Sequence, residues 1–145
     1  LRYPRLVKTR DEFDWWLTCL PDKVKALRAR LPELAAALDG SVASIEPLVA
    51  HLIAHHTYDA LIAPAQAELL DQVAAYVGDV AERAMPGCAW AIPLDDPADA
   101  DHGMAILRFT DGRLAFNPLT YVTTAVDRRD ATLVGRAIVR RRTPS

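Results

Sequence analysis

The hydrophobic period of this chain switches from helical to alternating at Pro86-Gly87, and that switch limits its possible folds more than any other feature. From about Ala65 to Met85 apolar residues recur with helical spacing, through Leu69 or Leu70, Val73, Val77, Val80, Ala81 and Ala84. After Pro86-Gly87 the spacing becomes two. "CAWAI" puts Cys88, Trp90 and Ile92 on one side of a strand, and "MAILRFT" does the same with Ala105, Leu107 and Phe109. Asp111-Gly112 then predicts a two-residue hairpin turn, because Gly tolerates positive φ, and "RLAFN" returns as a third strand with Leu114 and Phe116. Gly78 inside the long helix costs about 1 kcal/mol relative to Ala, which predicts a neighbour packed close against its backbone.

Upstream of the long helix the pattern is helical throughout. Thr9 and Glu12 form a capping box, followed by a stripe of Phe13, Trp16, Leu17 and Leu20. Pro21 ends or restarts that helix, and Asp22 to Arg30 reads as a second one. "PELAAALDG" reads as a third segment closed by Gly40 in a left-handed conformation. Ser44 is placed to cap a helix whose stripe is Ile45, Leu48, Val49, Leu52 and Ile53. Downstream of the strands, Asn117-Pro118 opens a helix through about Val126, and a last helix from Asp130 carries Leu133, Val134, Ala137 and Ile138.

Helices, then a block of strands, then helices predict an α+β fold: a helical N-terminal half, a three-stranded antiparallel meander and two C-terminal helices, with helices covering one sheet face. A length of 145 residues suits a single domain over 1–145, with a helical subregion over 1–40, an α+β core over 41–140 and a tail over 141–145. With 51% hydrophobic and 25% charged residues, the composition is that of a folded rather than a disordered chain. No run of 18 apolar residues is present, which excludes a transmembrane helix. "LRYPRLVKTR" lacks the apolar region of a secretion signal, so the expectation is a cytoplasmic protein with Cys19 and Cys88 as reduced thiols.

The formal charge of −2 conceals a segregation. Between Leu31 and Leu107 lie the acids Glu33, Asp39, Glu46, Asp59, Glu68, Asp71, Asp79, Glu82, Asp95, Asp96, Asp99 and Asp101, against Arg83 as the one base. Basic residues gather before Leu31 and, as arginines, after Val126. Either the folded protein is an electric dipole that steers a charged partner, or the two sets neutralise each other across one surface.

Four features could carry function. "HLIAHH" puts His51 and His55 one helical turn apart, a spacing two metal ligands can use. The intervening Leu52, Ile53 and Ala54 supply no general base, the third ligand would have to come from Asp59 or His102, and the apolar stripe leaves both rings on the wet flank of the helix. "DDPADADHG" gathers Asp95, Asp96, Asp99 and Asp101 in a loop that departs from the EF-hand calcium pattern yet could meet a cationic partner. Arg136, Arg140, Arg141 and Arg142 suit the negative end of a helix dipole, and no interleaved aromatic or nucleic-acid-binding motif accompanies them. Trp15 points away from the Trp16 stripe and fits either a second internal contact or a partner anchor.

Three stretches, "LDGSVASIEPLVAHL", "YVGDVAERAMPGCAW" and "GRLAFNPLTYV", resemble a poorly characterised bacterial family of small α+β proteins over about Leu38 to Thr124. The resemblance implies that Gly78, Trp90 and the Asn117-Pro118 helix start are structural elements. Members that occur beside secreted toxins look like immunity proteins, which implies inhibition by binding and no catalytic residue. The three histidines are no part of the shared pattern, and Val42 and Ala43 stand where charged residues or Pro are more usual.

These readings favour a non-enzymatic cytoplasmic binding protein of immunity type, without cofactor. It presents Asp95, Asp96, Asp99 and Asp101 to a cationic protein partner, with Trp15 as a possible anchor. Two other classes stay open: a metal-dependent hydrolase built on His51 and His55, and a nucleic-acid-binding accessory domain using the terminal arginines.

Overall fold

In the computed structural model residues 9–144 are described; Arg2, Arg5 and Lys8 of the N-terminal basic set and Ser145 of the tail lie outside them. The chain forms, in order, α1 (Arg10–Thr18), α2 (Leu20–Arg30), α3 (Ile45–His55), the short α4 (Tyr58–Leu61), α5 (Ala67–Ala84), β1 (Ala89–Ala91), β2 (Ile106–Arg108), α6 (Pro118–Asp127) and α7 (Leu133–Val139). The fold class is α+β, as the change of period predicts. Among the described residues no helix is long and apolar enough to cross a membrane.

The organiser is α5 rather than the sheet. Leu69, Leu70 and every residue of 72–81 except Asp79 are buried, so the helix has no broad wet face. α2, α6, α7, β2 and the 3-10 turn Val42–Ser44 all pack on it. Small side chains make this possible. An ideal Cβ at Gly78 would lie 2.2 Å from the Trp90 indole and 3.3 Å from Pro118, so a side chain at this position would displace β1 and the start of α6. That is the close neighbour the glycine predicts.

The sheet departs from expectation. It has two antiparallel strands, with Ala89 opposite Arg108, Trp90 opposite Leu107 and Ala91 opposite Ile106. The expected third strand is reduced to a single bridge between Leu107 and Phe116. Two causes are visible. The buried Arg141 side chain takes the carbonyls of Leu114 at 2.9 Å and Ala115 at 3.4 Å, and Pro118 starts α6 two residues after the bridge. The two-residue hairpin at Asp111-Gly112 is likewise replaced by a loop over 109–115. Its tip is held by the Asp111 carboxylate, which accepts from the Arg113 amide and guanidinium. A ribbon this small cannot be a layer covered by helices; it caps one side of α5 through Trp90 and Leu107.

Local sequence chemistry places the remaining elements. The Thr9 hydroxyl accepts the Glu12 amide at 3.1 Å and starts α1, which buries Phe13 and Trp16. "PELAAALDG" forms successive turns instead of a third helix. Its end is pinned, since Arg28 donates to the Leu38 carbonyl at 2.8 Å and the Gly40 amide, at φ +86°, donates to the buried Tyr76 hydroxyl. Ser44 precedes α3 without capping it. Its hydroxyl donates to the Ser41 carbonyl and accepts from Tyr76 at 2.6 Å, while Ser41 supplies the cap to the 3-10 turn. The resemblance-bearing "LDGSVASI" is thus a nested set of turns latched onto α5. Asp39 belongs to it, and hydrogen bonds from the Ser41 hydroxyl and amide hold its carboxyl below the usual range.

Candidate functional site

The histidines form a small stacked group rather than a ligand set. His51 and His55 lie ring on ring at 4.1 Å, and His55 Nδ1 is 2.8 Å from the His51 carbonyl, which accepts from it. With one nitrogen engaged along the helix, His55 is turned toward its neighbour, not toward a shared metal position. Among the described residues no group of three His, Cys, Asp or Glu converges as metal ligands. His56 ends α3 half-buried, and burial, followed by repulsion from His55 and His51, pushes its pKa down. Its carbonyl accepts from Arg129, which adopts the left-handed φ of +55°. That conformation closes a Schellman cap on α6, with the Arg129 amide on Val126 and the Asp130 amide on Ala125.

The acidic segment is an ordered loop. Its ends are tied by the Gly103 amide donating to the Pro93 carbonyl at 2.9 Å, and turns at 96–99, 99–102 and 101–104 follow one another inside it. Two acids brace those turns, Asp96 accepting from the Ala98 amide and Asp99 from the Asp101 amide, and Asp101 ties the loop to the Asn117 side chain. Asp95, Asp96 and Asp99 are exposed and Asp101 half-buried, and none of the four is in an ion pair among the described residues. His102 lies within the loop with its Nδ1 buried and without a hydrogen-bond partner among the described residues. Asn117 joins the loop to the fold, since it also caps α6 through the Thr120 amide. Asp101, bonded to that cap, therefore lies at the positive end of the α6 dipole.

The two charge sets of the sequence meet different fates. Two of the N-terminal bases are neutralised on α5: Lys23 pairs with Asp71, and Arg30 with Glu68 at 2.5 Å, while Arg10 pairs with Asp14 on α1 and Lys25 and Arg28 are in no ion pair among the described residues. Asp71 also accepts the Trp16 indole N–H at 2.7 Å. The C-terminal arginines do not reach the loop acids. Arg128 lies past the far end of α6, about 15 Å along the helix from Asn117. Arg136 pairs with Asp130 at 2.5 Å, while Arg128, Arg140 and Arg142 are in no ion pair among the described residues. Neutralisation holds for Lys23 and Arg30 of α2 against α5, and the charge of Arg128, Arg140 and Arg142 stays uncompensated among the described residues.

Arg141 is the residue sequence reading places least well. As the first position of the expected tail it is nevertheless only 6% exposed. It donates to the carbonyls of Leu114, Ala115 and Ala137 and to the Tyr121 hydroxyl, and its guanidinium lies 5.2 Å from the Tyr121 ring. No carboxylate pairs with it among the described residues. The aromatic partners missing from the arginine-rich segment come from α6 and the preceding bridge, distant in sequence. Arg113, also buried, donates to the Arg141 carbonyl at 2.6 Å.

Trp15 is 68% exposed on α1, and it makes no side-chain hydrogen bond or ring contact with the acidic loop among the described residues. It and the carboxylates are two separate features of the surface. Cys19 and Cys88 are both free, and burial raises the Cys88 thiol pKa. Comparison with known protein families, curated proteins and solved structures gives no match.

Proposed function

We propose that this chain is a non-enzymatic binding protein that offers the loop of Asp95, Asp96, Asp99 and Asp101 to a cationic protein partner. One observation carries the reading. The loop gathers four carboxylates, three of them fixed by hydrogen bonds, and none is in an ion pair among the described residues; Asp71, Glu68 and Asp79 of the same acidic half are each paired, and the unpaired Glu33, Glu46, Asp59 and Glu82 are scattered over separate segments rather than gathered in one loop. Fixed, unpaired charge is complementary to a partner's opposite charge and speeds encounter. Preformed turns also reduce the ordering entropy lost on binding. The immunity-protein resemblance supports the same class, a cytoplasmic inhibitor that acts by occupying its target. Trp15 fits a second anchor at another part of the interface.

The test exploits the loop's own chemistry. Asp95→Asn, Asp96→Asn, Asp99→Asn and Asp101→Asn together remove the charge and keep the Oδ1 acceptors on which the turns depend. Immobilised protein should retain basic proteins from a lysate of the native host, and the fourfold variant should lose them, as should the parent at high salt. Retention of the same proteins by both would refute the reading.

A further inference from the structure

The C-terminal arginines line a site that the acidic loop does not explain. A groove of about 300 Å³ runs between α6 and α7, bounded by Thr120, Tyr121, Thr124 and Arg128 on one side and Arg136 and Arg140 on the other. Its hydrogen-bonding groups are unbalanced. Thr120 and Thr124 stand one helical turn apart, and their hydroxyls have no partner among the described residues. Tyr121 accepts from Arg141 at 2.7 Å, and its own O–H has no acceptor among the described residues. Arg128 and Arg140 have no side-chain partner among the described residues. The groove's one carboxylate, Asp130, is committed on both oxygens, to Thr132 and to Arg136. Behind the groove Arg141 adds a buried positive charge with no counter-ion among the described residues.

A cleft rich in donors, with its acceptors spent and its charge positive, is complementary to an oxyanion. We propose that the α6–α7 groove binds a small phosphate-bearing ligand, clamped between Arg128 and Arg140 and oriented by Thr120, Tyr121 and Thr124. A tetrahedral phosphate accepts bonds from several directions at once, which matches donors arriving from two helices. The volume is at the small end of ligand sites and fits one phosphorylated group rather than a nucleic-acid backbone. The single aromatic, Tyr121, gives no platform on which successive bases could stack.

Inorganic pyrophosphate titrated into the 15N-labelled chain is the probe. The amide signals of Thr120, Tyr121, Thr124 and Arg140 should shift saturably. Arg140→Gln and Arg128→Gln should each weaken binding about tenfold, the scale of one charge-assisted hydrogen bond lost. Both side chains lack partners, so the fold should survive, and unchanged signals from Tyr76 and Trp90 check this. Arg108→Gln, an exposed arginine on β2 outside the groove, should bind as the parent does. An absent or non-saturating shift would overturn the proposal. So would equal weakening by Arg108→Gln, or saturable binding to a single-stranded oligonucleotide alone.

Discussion

Adding one methyl group at Gly78 should reverse the usual effect of replacing Gly by Ala in a helix. On propensity alone, Gly78→Ala would stabilise α5 by about 1 kcal/mol. The added Cβ, however, would lie 2.2 Å from Trp90 Cη2 and 2.6 Å from Cζ2. Carbon atoms settle near 3.5–4.0 Å, so the indole must retreat by roughly 1 Å or more. It cannot do so freely, because its other side packs edge-on against Trp16 at 5.2 Å, and Trp16 is itself fastened to Asp71. Overpacking of this kind costs about 1–3 kcal/mol, and expulsion of the half-buried indole costs part of the roughly 3–5 kcal/mol of losing a fully buried aromatic. The net expectation is destabilisation by about 1–2 kcal/mol, or more if Trp90 leaves its seat. Urea denaturation should show a lower midpoint at unchanged slope. In a Trp90→Leu background the same Gly78→Ala change should become stabilising by about 1 kcal/mol, a coupling of about 2–3 kcal/mol between the positions. A higher midpoint for Gly78→Ala in the parent chain would refute the argument.

Tyr76→Phe should cost about 1–3 kcal/mol in the same urea assay, since it leaves the Gly40 amide and the Ser44 hydroxyl without their buried partner; a loss below about 0.5 kcal/mol would mean the latch is not formed. For His56 the folded pKa lies below the unfolded value, so the unfolded chain takes up the proton first as pH falls. Stability present above about pH 6.5 is therefore lost as pH drops toward the folded pKa. His51, His55, Asp59, Asp127 and Arg129 surround that side chain or share its groove. The lowered carboxyls of Asp39, Asp111 and Asp130 act in a more acid range. His56→Asn should flatten the fall in urea midpoint between about pH 7 and pH 5, and an unchanged fall would contradict the assignment. Trp15→Ala should leave stability within about 0.5 kcal/mol of the parent while weakening partner binding by about 2 kcal/mol; a large stability loss without a binding defect would make Trp15 a structural residue.

Much of the fold was legible because individual residues carry strong local rules. Thr9, and Asn117 with Pro118, start helices where the chain observes those boundaries, and Gly40 takes its expected left-handed conformation after turns rather than after a helix. Gly78 announced its close neighbour. What failed was inference across sequence distance. The single stripe read on α5 assumes one buried face, yet Ala74, Ala75 and Gly78 are small enough for other elements to wrap the helix. The third strand read from "RLAFN" ignores Arg141, a competitor for two of its carbonyls supplied from α7's far end. Ser44 has the right type and place for a cap, and Tyr76 claims its hydroxyl instead. At the candidate sites, the acidic loop and Trp15 were visible as exposed chemistry. The phosphate-shaped groove was not, because Thr120, Tyr121 and Thr124 become relevant only when α7 lies beside α6. One signal could have pointed to it: Thr120, Thr124 and Arg128 recur every four residues on one helix face.

Steered association through fixed loop carboxylates is the central claim, and the dependence of association rate on ionic strength tests it most directly. Once a partner has been isolated, its association rate with the parent chain should fall steeply as salt rises from about 0.01 to 0.15 M, where screening shortens from roughly 30 to 8 Å. The fourfold Asp→Asn chain should associate more slowly at low salt and respond far less to added salt. Equal rates and equal salt dependence for the two chains would contradict the account.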